Sequence, residues 1–211
     1  MTDPKAIADA ITHRLTAQRK DFYQSGVWMA LLKLLAHGQP VAVTQLAEAV
    51  DLSPKTVAKI ISCCRDLEVD GQNRIGGMGL TLNPTPHHFQ LKGHPLYTWC
   101  ALDTLMYVAA LSQPAEVRST CPITQNEIRL SITPEGINDR APATTVISVA
   151  ISPETETCCR SNFCDQGHFF STAEVARRWL GDQPDAYVLP VQKAAVIGRQ
   201  IAALVQTSAI G

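Results

Sequence analysis

The chain has 211 residues, 45% of them hydrophobic and only 18% charged, with 18 basic against 19 acidic side chains. That profile excludes a disordered or collagen-like chain, and it supplies no global basic field that would draw the protein to nucleic acid or to an anionic membrane surface. The length allows one large domain or two small ones with enough core to fold without disulfides, so the seven cysteines become the unusual number.

Asp3 and Pro4 supply a cap and a first-turn proline ahead of Ile7, Ile11, Arg14 and Leu15, and this spacing predicts a first helix. Val27, Leu31, Leu34 and Leu35 repeat the pattern until His37 and Gly38 stop it. Thr44 is expected to cap a short helix carrying Leu46, Ala47 and Val50. Ser53 and Pro54 then open another, whose Val57, Ile60, Ile61 and Cys64 share one face as far as about Leu67. Between Val69 and Leu82, turn residues alternate with short apolar pieces, as in a β-hairpin. Short helix, turn, longer helix and hairpin is the order of a winged helix-turn-helix, here over residues 1–82. Its second helix offers Lys55, Lys59 and Arg65 beside Asp66 and Glu68, and its wing only Arg74, so the charge does not favour DNA binding.

Asn83 to Pro86 reads as a linker into a second domain, 83–211, of α+β character with mainly antiparallel strands. Phe89 to Leu91, Ile128 to Ile132 and Thr145 to Ile151 have strand patterns. A helix is expected from near Pro95 to Leu111. Further on come a helix capped by Thr172 and ended by Gly181, a strand from Ala186 to Leu189, and a last helix from Lys193 to about Gln206. The most apolar runs, 27–36 and 101–111, fall short of the roughly 20 residues a membrane span needs, and the N-terminus lacks a basic n-region. The chain is therefore expected to be cytoplasmic, with its cysteines reduced.

Chemistry concentrates in the second half. On the expected helix Cys100 and Asp103 are three apart and share a face, amid Trp99, Leu102 and Leu105, where desolvation would raise a carboxyl pKa. The same pair is also consistent with a core thiol and a capping carboxylate. Cys158, Cys159, Cys164 and His168 form a second cluster, but adjacent cysteines suit one tetrahedral zinc poorly, whereas a soft two-coordinate ion needs only two converging thiolates. Spacing does not choose which of these would face Cys100. Cys63, Cys64 and Cys121 read as surface or core thiols.

Gly79 to Leu82, the string Leu96-Tyr-Thr-Trp-Cys-Ala-Leu-Asp-Thr-Leu105, Cys121, Asn162-Phe-Cys164 and His168-Phe-Phe170 resemble, in order and spacing, the organomercurial (alkylmercury) lyases of bacterial mercury resistance. The resemblance covers nearly the whole chain, since that family places a helix-turn-helix-like domain ahead of an α+β catalytic domain. It implies protonolysis of the carbon-mercury bond, with Cys100 and Cys164 as catalytic cysteines, Asp103 as catalytic aspartate and Cys121 as a structural cysteine. The Hg(II) product would rest on Cys100, Cys164 and Asp103. It further implies no organic cofactor or activating metal, organomercurial substrates, low-molecular-weight thiols for turnover, and mercuric reductase as acceptor of the ion. Two departures stand out: Asp165 follows the second cysteine where the family can carry another cysteine, and Cys158-Cys159 lies outside the pattern, either inert or a relay for the departing ion. A regulator of another class, a winged helix that binds DNA while its cysteines sense a thiophilic metal, is the alternative reading.

Overall fold

The computed structural model describes residues 3–17, 19–151, 160, 163–181 and 186–207. Five helices come first: α1 (Pro4–Ala17), α2 (Lys20–Gln24), α3 (Val27–Leu35), α4 (Val43–Ala49) and α5 (Pro54–Ile61). Each buries one apolar stripe, as in α3, where Val27, Trp28, Leu31, Leu32 and Leu35 face inward. Ser53 caps α5 as expected, its Oγ accepting the Thr56 N–H at 3.1 Å. Two boundaries differ from expectation. The cap of α4 is Ala42, whose N–H is taken by the Gln45 side chain at 2.9 Å. α5 ends at Ile61 rather than near Leu67, because the chain turns there and the following residues form β1.

The strands are β1 (Glu68–Val69), β2 (Ile75–Met78), β3 (Leu80–Thr81), β4 (His87–Leu91), β5 (His94–Thr98), β6 (Ala115–Thr120), β7 (Glu127–Thr133) and β8 (Gly136–Ala141), in one antiparallel sheet ordered β1-β2-β3-β5-β4-β6-β7-β8. The hairpin that follows the helices therefore continues into the sheet of the second half. Asn83 to Pro86 is not a loose linker: Thr85 donates to the Thr98 carbonyl at 2.7 Å and Asn83 to Glu68 at 2.7 Å. A second sheet, β10-β9-β11, contains β9 (Val146–Ala150), β10 (Phe169–Phe170) and β11 (Ala186–Pro190).

Between the sheets runs α6 (Ala101–Leu111), packed also against the C-terminal α8 (Val191–Thr207), while α7 (Ala173–Leu180) lies on the smaller sheet. Ten of the eleven α6 residues are buried. A helix apolar on every side must be covered on every side, and α6 meets β4, β5, β7, β9, α3 and α8.

Strand alternation builds the sheet's inner face in rows across neighbouring strands. Leu96, Phe89, Val117 and Leu130 form one row, and Thr98, His87, Ser119 and Ile128 another. The second row buries a histidine completely. Its Nδ1 meets Ser119 Oγ at 2.9 Å, while Nε2 has no hydrogen-bond partner among the described residues. Burial, with the neighbouring His168 ring adding to it, pushes the His87 pKa from 6.5 down to about 3. The unfolded chain then binds a proton that the folded one refuses, so stability is lost as pH falls from about 6.5 towards 3. Asp103, raised in pKa, contributes with the opposite sign in parent and variant alike. In urea unfolding followed across this range, His87→Asn should flatten the pH slope of stability by up to about one proton relative to the parent. An unchanged slope would show that His87 already titrates in the native state.

Candidate active site

The expectation of a helix from Pro95 fails in an informative way. Lys92 and Gly93, both in the left-handed region, turn the chain so that His94–Thr98 becomes β5, paired with β4. The helix starts at Ala101, and Cys100 is its N-cap in extended backbone. Cys100 and Asp103 are therefore the two ends of a capping box rather than neighbours on a helical face. The Asp103 N–H points to Cys100 Sγ at 3.4 Å, and the Cys100 N–H to Asp103 Oδ2 at 3.2 Å. A box normally built from Ser or Thr and Glu here carries a thiol and a carboxylate, locked about one turn apart.

Cys164 enters from a separate element, the single 3₁₀ turn Cys164–Gln166. Its Sγ lies 4.0 Å from Asp103 Oδ2. The two sulfurs and the carboxylate fall within 4.8 Å of one another, and all three residues are buried. Among the described residues no other group of three or more cysteine, histidine or acidic side chains converges in this way.

Two residues not singled out in the sequence hold the second sulfur in place. Gly167 closes the turn: its carbonyl accepts the Ala101 N–H at 2.9 Å, and its own N–H reaches the Cys164 carbonyl at 2.9 Å. A Cβ at this position would stand 2.9 Å from Cys100 Cβ and 3.5 Å from Cys100 Sγ, so the close approach of the two segments requires glycine. Ser148, buried on β9, donates to the Gln166 carbonyl at 2.6 Å and accepts the His168 N–H at 3.0 Å. The only sequence signal for either was a glycine inside Cys-Asp-Gln-Gly-His, a position where backbone often approaches something closely.

The site opens on an apolar cavity. Asp103 and Cys164 are in its wall with Trp99, Tyr107 and Tyr23, and Cys100 lies behind them. Gly79, with φ at +85°, also lines it, and a side chain there would collide with the Tyr107 hydroxyl. This gives a physical reason for the glycine in Gly79-Leu-Thr-Leu82. On the outer side, Trp99 Nε1 donates to Glu68 at 2.8 Å, and the Arg160 guanidinium stacks 5.0 Å from the Trp99 ring and pairs with Glu68.

Burial sets the electrostatics. It pushes the Asp103 carboxyl from 3.8 up to about 6, against the opposing hydrogen bonds from Cys100 and Tyr107. It likewise pushes the Cys100 thiol from 9.0 up to about 11, with the Cys164 thiol acting the other way and the Asp103 charge adding to the rise. Both groups are thus protonated more readily than in water, and Asp103 exchanges a proton close to neutrality.

Cys121 is also buried, apart from this group, its N–H bonded to the Asn126 carbonyl at 3.0 Å in the turn between β6 and β7. His168 stacks edge-on against Trp179 and does not join the sulfurs. Cys158, Cys159 and Asn162 lie outside the described residues. No described helix is long and apolar enough to cross a membrane.

Residues 80–203 match the family model described as alkylmercury lyase, and residues 7–79 match that of the helix-turn-helix domain of alkylmercury lyase. An alkylmercury lyase of Streptomyces lividans is 45% identical over 175 residues, spanning 83% of this chain and 81% of that protein. One from Staphylococcus epidermidis is 39% identical over 178 residues, 84% of this chain and 82% of its own. In fold, the chain is similar to a crystal structure of the mercury-bound form of MerB2, with a TM-score of 0.72 over 90% of this chain and 99% of that one at 24% identity.

Proposed function

The chain belongs to the alkylmercury lyase family and is an enzyme of that class; from this premise we propose that Cys100, Cys164 and Asp103 cleave the carbon-mercury bond of organomercury cations by protonolysis. The observation that carries the assignment is the convergence of two thiols and one carboxyl within 4.8 Å, buried beside an apolar cavity.

The chemistry requires such a set. In R-Hg⁺ the carbon must leave with the bonding pair and receive a proton, and each electron-rich sulfur added to mercury loosens the carbon-mercury bond. One thiolate provides capture and the second provides activation. A thiol held near pKa 11 does not hand its proton to a carboxylate near 6 unaided. Mercury supplies the missing driving force: the first thiol to bind it releases its proton to solvent, and as the second sulfur-mercury bond forms, that thiol's proton becomes strongly acidic and passes to Asp103 Oδ2. The neutral carboxyl then donates that proton to the departing carbon, R-H leaves, and Hg(II) stays on Cys100 and Cys164 with Asp103 beside it. The apolar cavity holds the organic group and keeps competing water from the mercury. Soluble thiols then remove the ion, with mercuric reductase as the proposed acceptor; no other cofactor enters.

Headspace analysis tests the reading. Methylmercury should give methane and phenylmercury benzene in the presence of excess thiol, and in D₂O each product should carry one deuterium. Absence of hydrocarbon with properly folded protein would refute it. The turn that carries Cys164 should be equally demanding. Gly167→Ala, by forcing Cys164 and Cys100 apart, should lower the rate of hydrocarbon release by about 10²-fold, in a protein that still folds but melts several degrees lower because the added methyl overpacks a buried contact. Parental activity in that variant would mean that the sulfur spacing is not critical.

A further inference from the structure

Two cysteines outside the site lie together at its flank. Cys63 and Cys64 follow the end of α5, with their sulfurs 3.8 Å apart. Cys63 is exposed, its thiol directed to the Ile60 carbonyl at 3.0 Å, whereas Cys64 is buried at 4% exposure and anchored by an N–H bond to the Ile61 carbonyl. One sulfur thus faces solvent and the other is walled in behind it. Burial and the adjoining Cys63 thiol push the Cys64 thiol from 9.0 up to about 12, with the Arg19 guanidinium acting the other way, so Cys64 gives up its proton only as a metal-sulfur bond forms. No third cysteine, histidine or carboxylate converges on the pair among the described residues. That donor set is too poor for tetrahedral zinc and sufficient for a soft ion that accepts two sulfurs.

The chain leaving this pair runs to the wall of the catalytic cavity. Asp66 accepts from Arg19 and from the Arg160 N–H, each at 3.3 Å, and Glu68 holds the indole N–H of Trp99. Trp99 in turn lines the cavity.

We propose that Cys63 and Cys64 form a second site for Hg²⁺, which takes up one ion after it leaves Cys100 and Cys164. In the transfer, two mercury-sulfur bonds at the catalytic pair break and two at Cys63 and Cys64 form. Two thiol protons move in the opposite direction, through solvent, and nothing is oxidised or reduced. Cys63 rotates outward to place the sulfurs on opposite sides of the ion. The transfer rests on the lyase reading of the catalytic site; the binding does not.

The test uses the full chain, mercuric chloride carrying two equivalents of a monothiol, desalting, and mercury assayed per chain. Cys63→Ser, at an exposed position where folding is not at stake, should retain one equivalent less than the parent, and Cys63→Ser/Cys64→Ser the same amount as the single variant. The difference should persist in a Cys100→Ser/Cys164→Ser background. Equal retention by parent and Cys63→Ser would overturn the site. For the transfer, methylmercury is supplied in thiol-free buffer and methane is counted. The parent should give a burst larger by one equivalent per chain than Cys63→Ser, and equal bursts would refute the hand-off. A parent that releases no methane would refute the lyase reading, while the retention measurement would still decide the binding site.

Discussion

Replacement of either Cys100 or Cys164 by serine should lower carbon-mercury cleavage by more than about 10³-fold while leaving capture of the organomercurial in place. Either single variant retains one thiol within reach of Asp103, so one mercury-sulfur bond still forms, and peptide mapping by mass spectrometry should find the R-Hg adduct on that remaining cysteine. What is lost is the second sulfur, without which the carbon does not gain enough negative character to take a proton from a carboxyl of pKa about 6. Residues that act as a unit are not additive, so Cys100→Ser/Cys164→Ser should cleave no more slowly than the worse single variant, although any R-Hg adduct it forms lies on cysteines outside the site, such as the exposed Cys63. The substitutions are mild for the fold. Serine at 100 is a better cap for α6 than cysteine, and at 164 it occupies the same small volume. A single variant that releases hydrocarbon at the parental rate would remove that cysteine from the reaction.

The elements were legible in sequence where local signals and packing agree. Ser53 before Pro54, and Thr172 ahead of the α7 stripe, mark helix starts that the structure keeps. The failure at Pro95 arose because a proline followed by Leu96 and Trp99 satisfies a helix start as well as an edge of a hairpin. Only the pairing of β5 with β4, which burial of Leu96 and Thr98 enforces, decides between them. The consequence reached the site: Cys100 and Asp103 are held by a cap, a more rigid relation than two side chains on a helical face. Which cysteine would oppose Cys100 was not readable from spacing, because Cys164 lies 61 positions from Asp103 and arrives through β9 and its bonds from Ser148. The family resemblance named that cysteine; the backbone contacts of Gly167 and Ser148 supply the physical reason it sits there. Tyr107 had no sequence signal, and Glu68 read only as a charge on the second helix rather than as a β1 residue holding Trp99, since each matters through what it touches across the fold.

Asp103→Asn isolates the proton from the scaffold. The amide oxygen of asparagine can still accept the Cys100 N–H, so the cap of α6 and the placement of Cys100 survive. What disappears is the ability to take up a thiol proton and return it to carbon. General acid-base groups contribute about 10² to 10⁴-fold, and hydrocarbon release should fall by that range with mercury capture on both sulfurs retained. The pH profile carries the second signature. In the parent the carboxylate must be free to accept the proton released by the incoming mercury, so kcat/KM should rise with pH as a single ionisation centred near 6, well above the usual aspartate range. The residual activity of Asp103→Asn should lack that limb. The stability sign runs opposite: a folded pKa near 6 against 3.8 unfolded means that the native state binds the extra proton between those values and loses stability as pH rises through them. Asp103→Asn should therefore be more stable than the parent at pH 8 and close to it below pH about 4. An activity gained at the expense of folding stability is what a carboxyl buried for its proton, rather than for its packing, predicts. A parent whose rate limb sits near pH 4, with no stabilisation in the variant at pH 8, would show that Asp103 is solvated in the working enzyme and that the proton reaches carbon by another route.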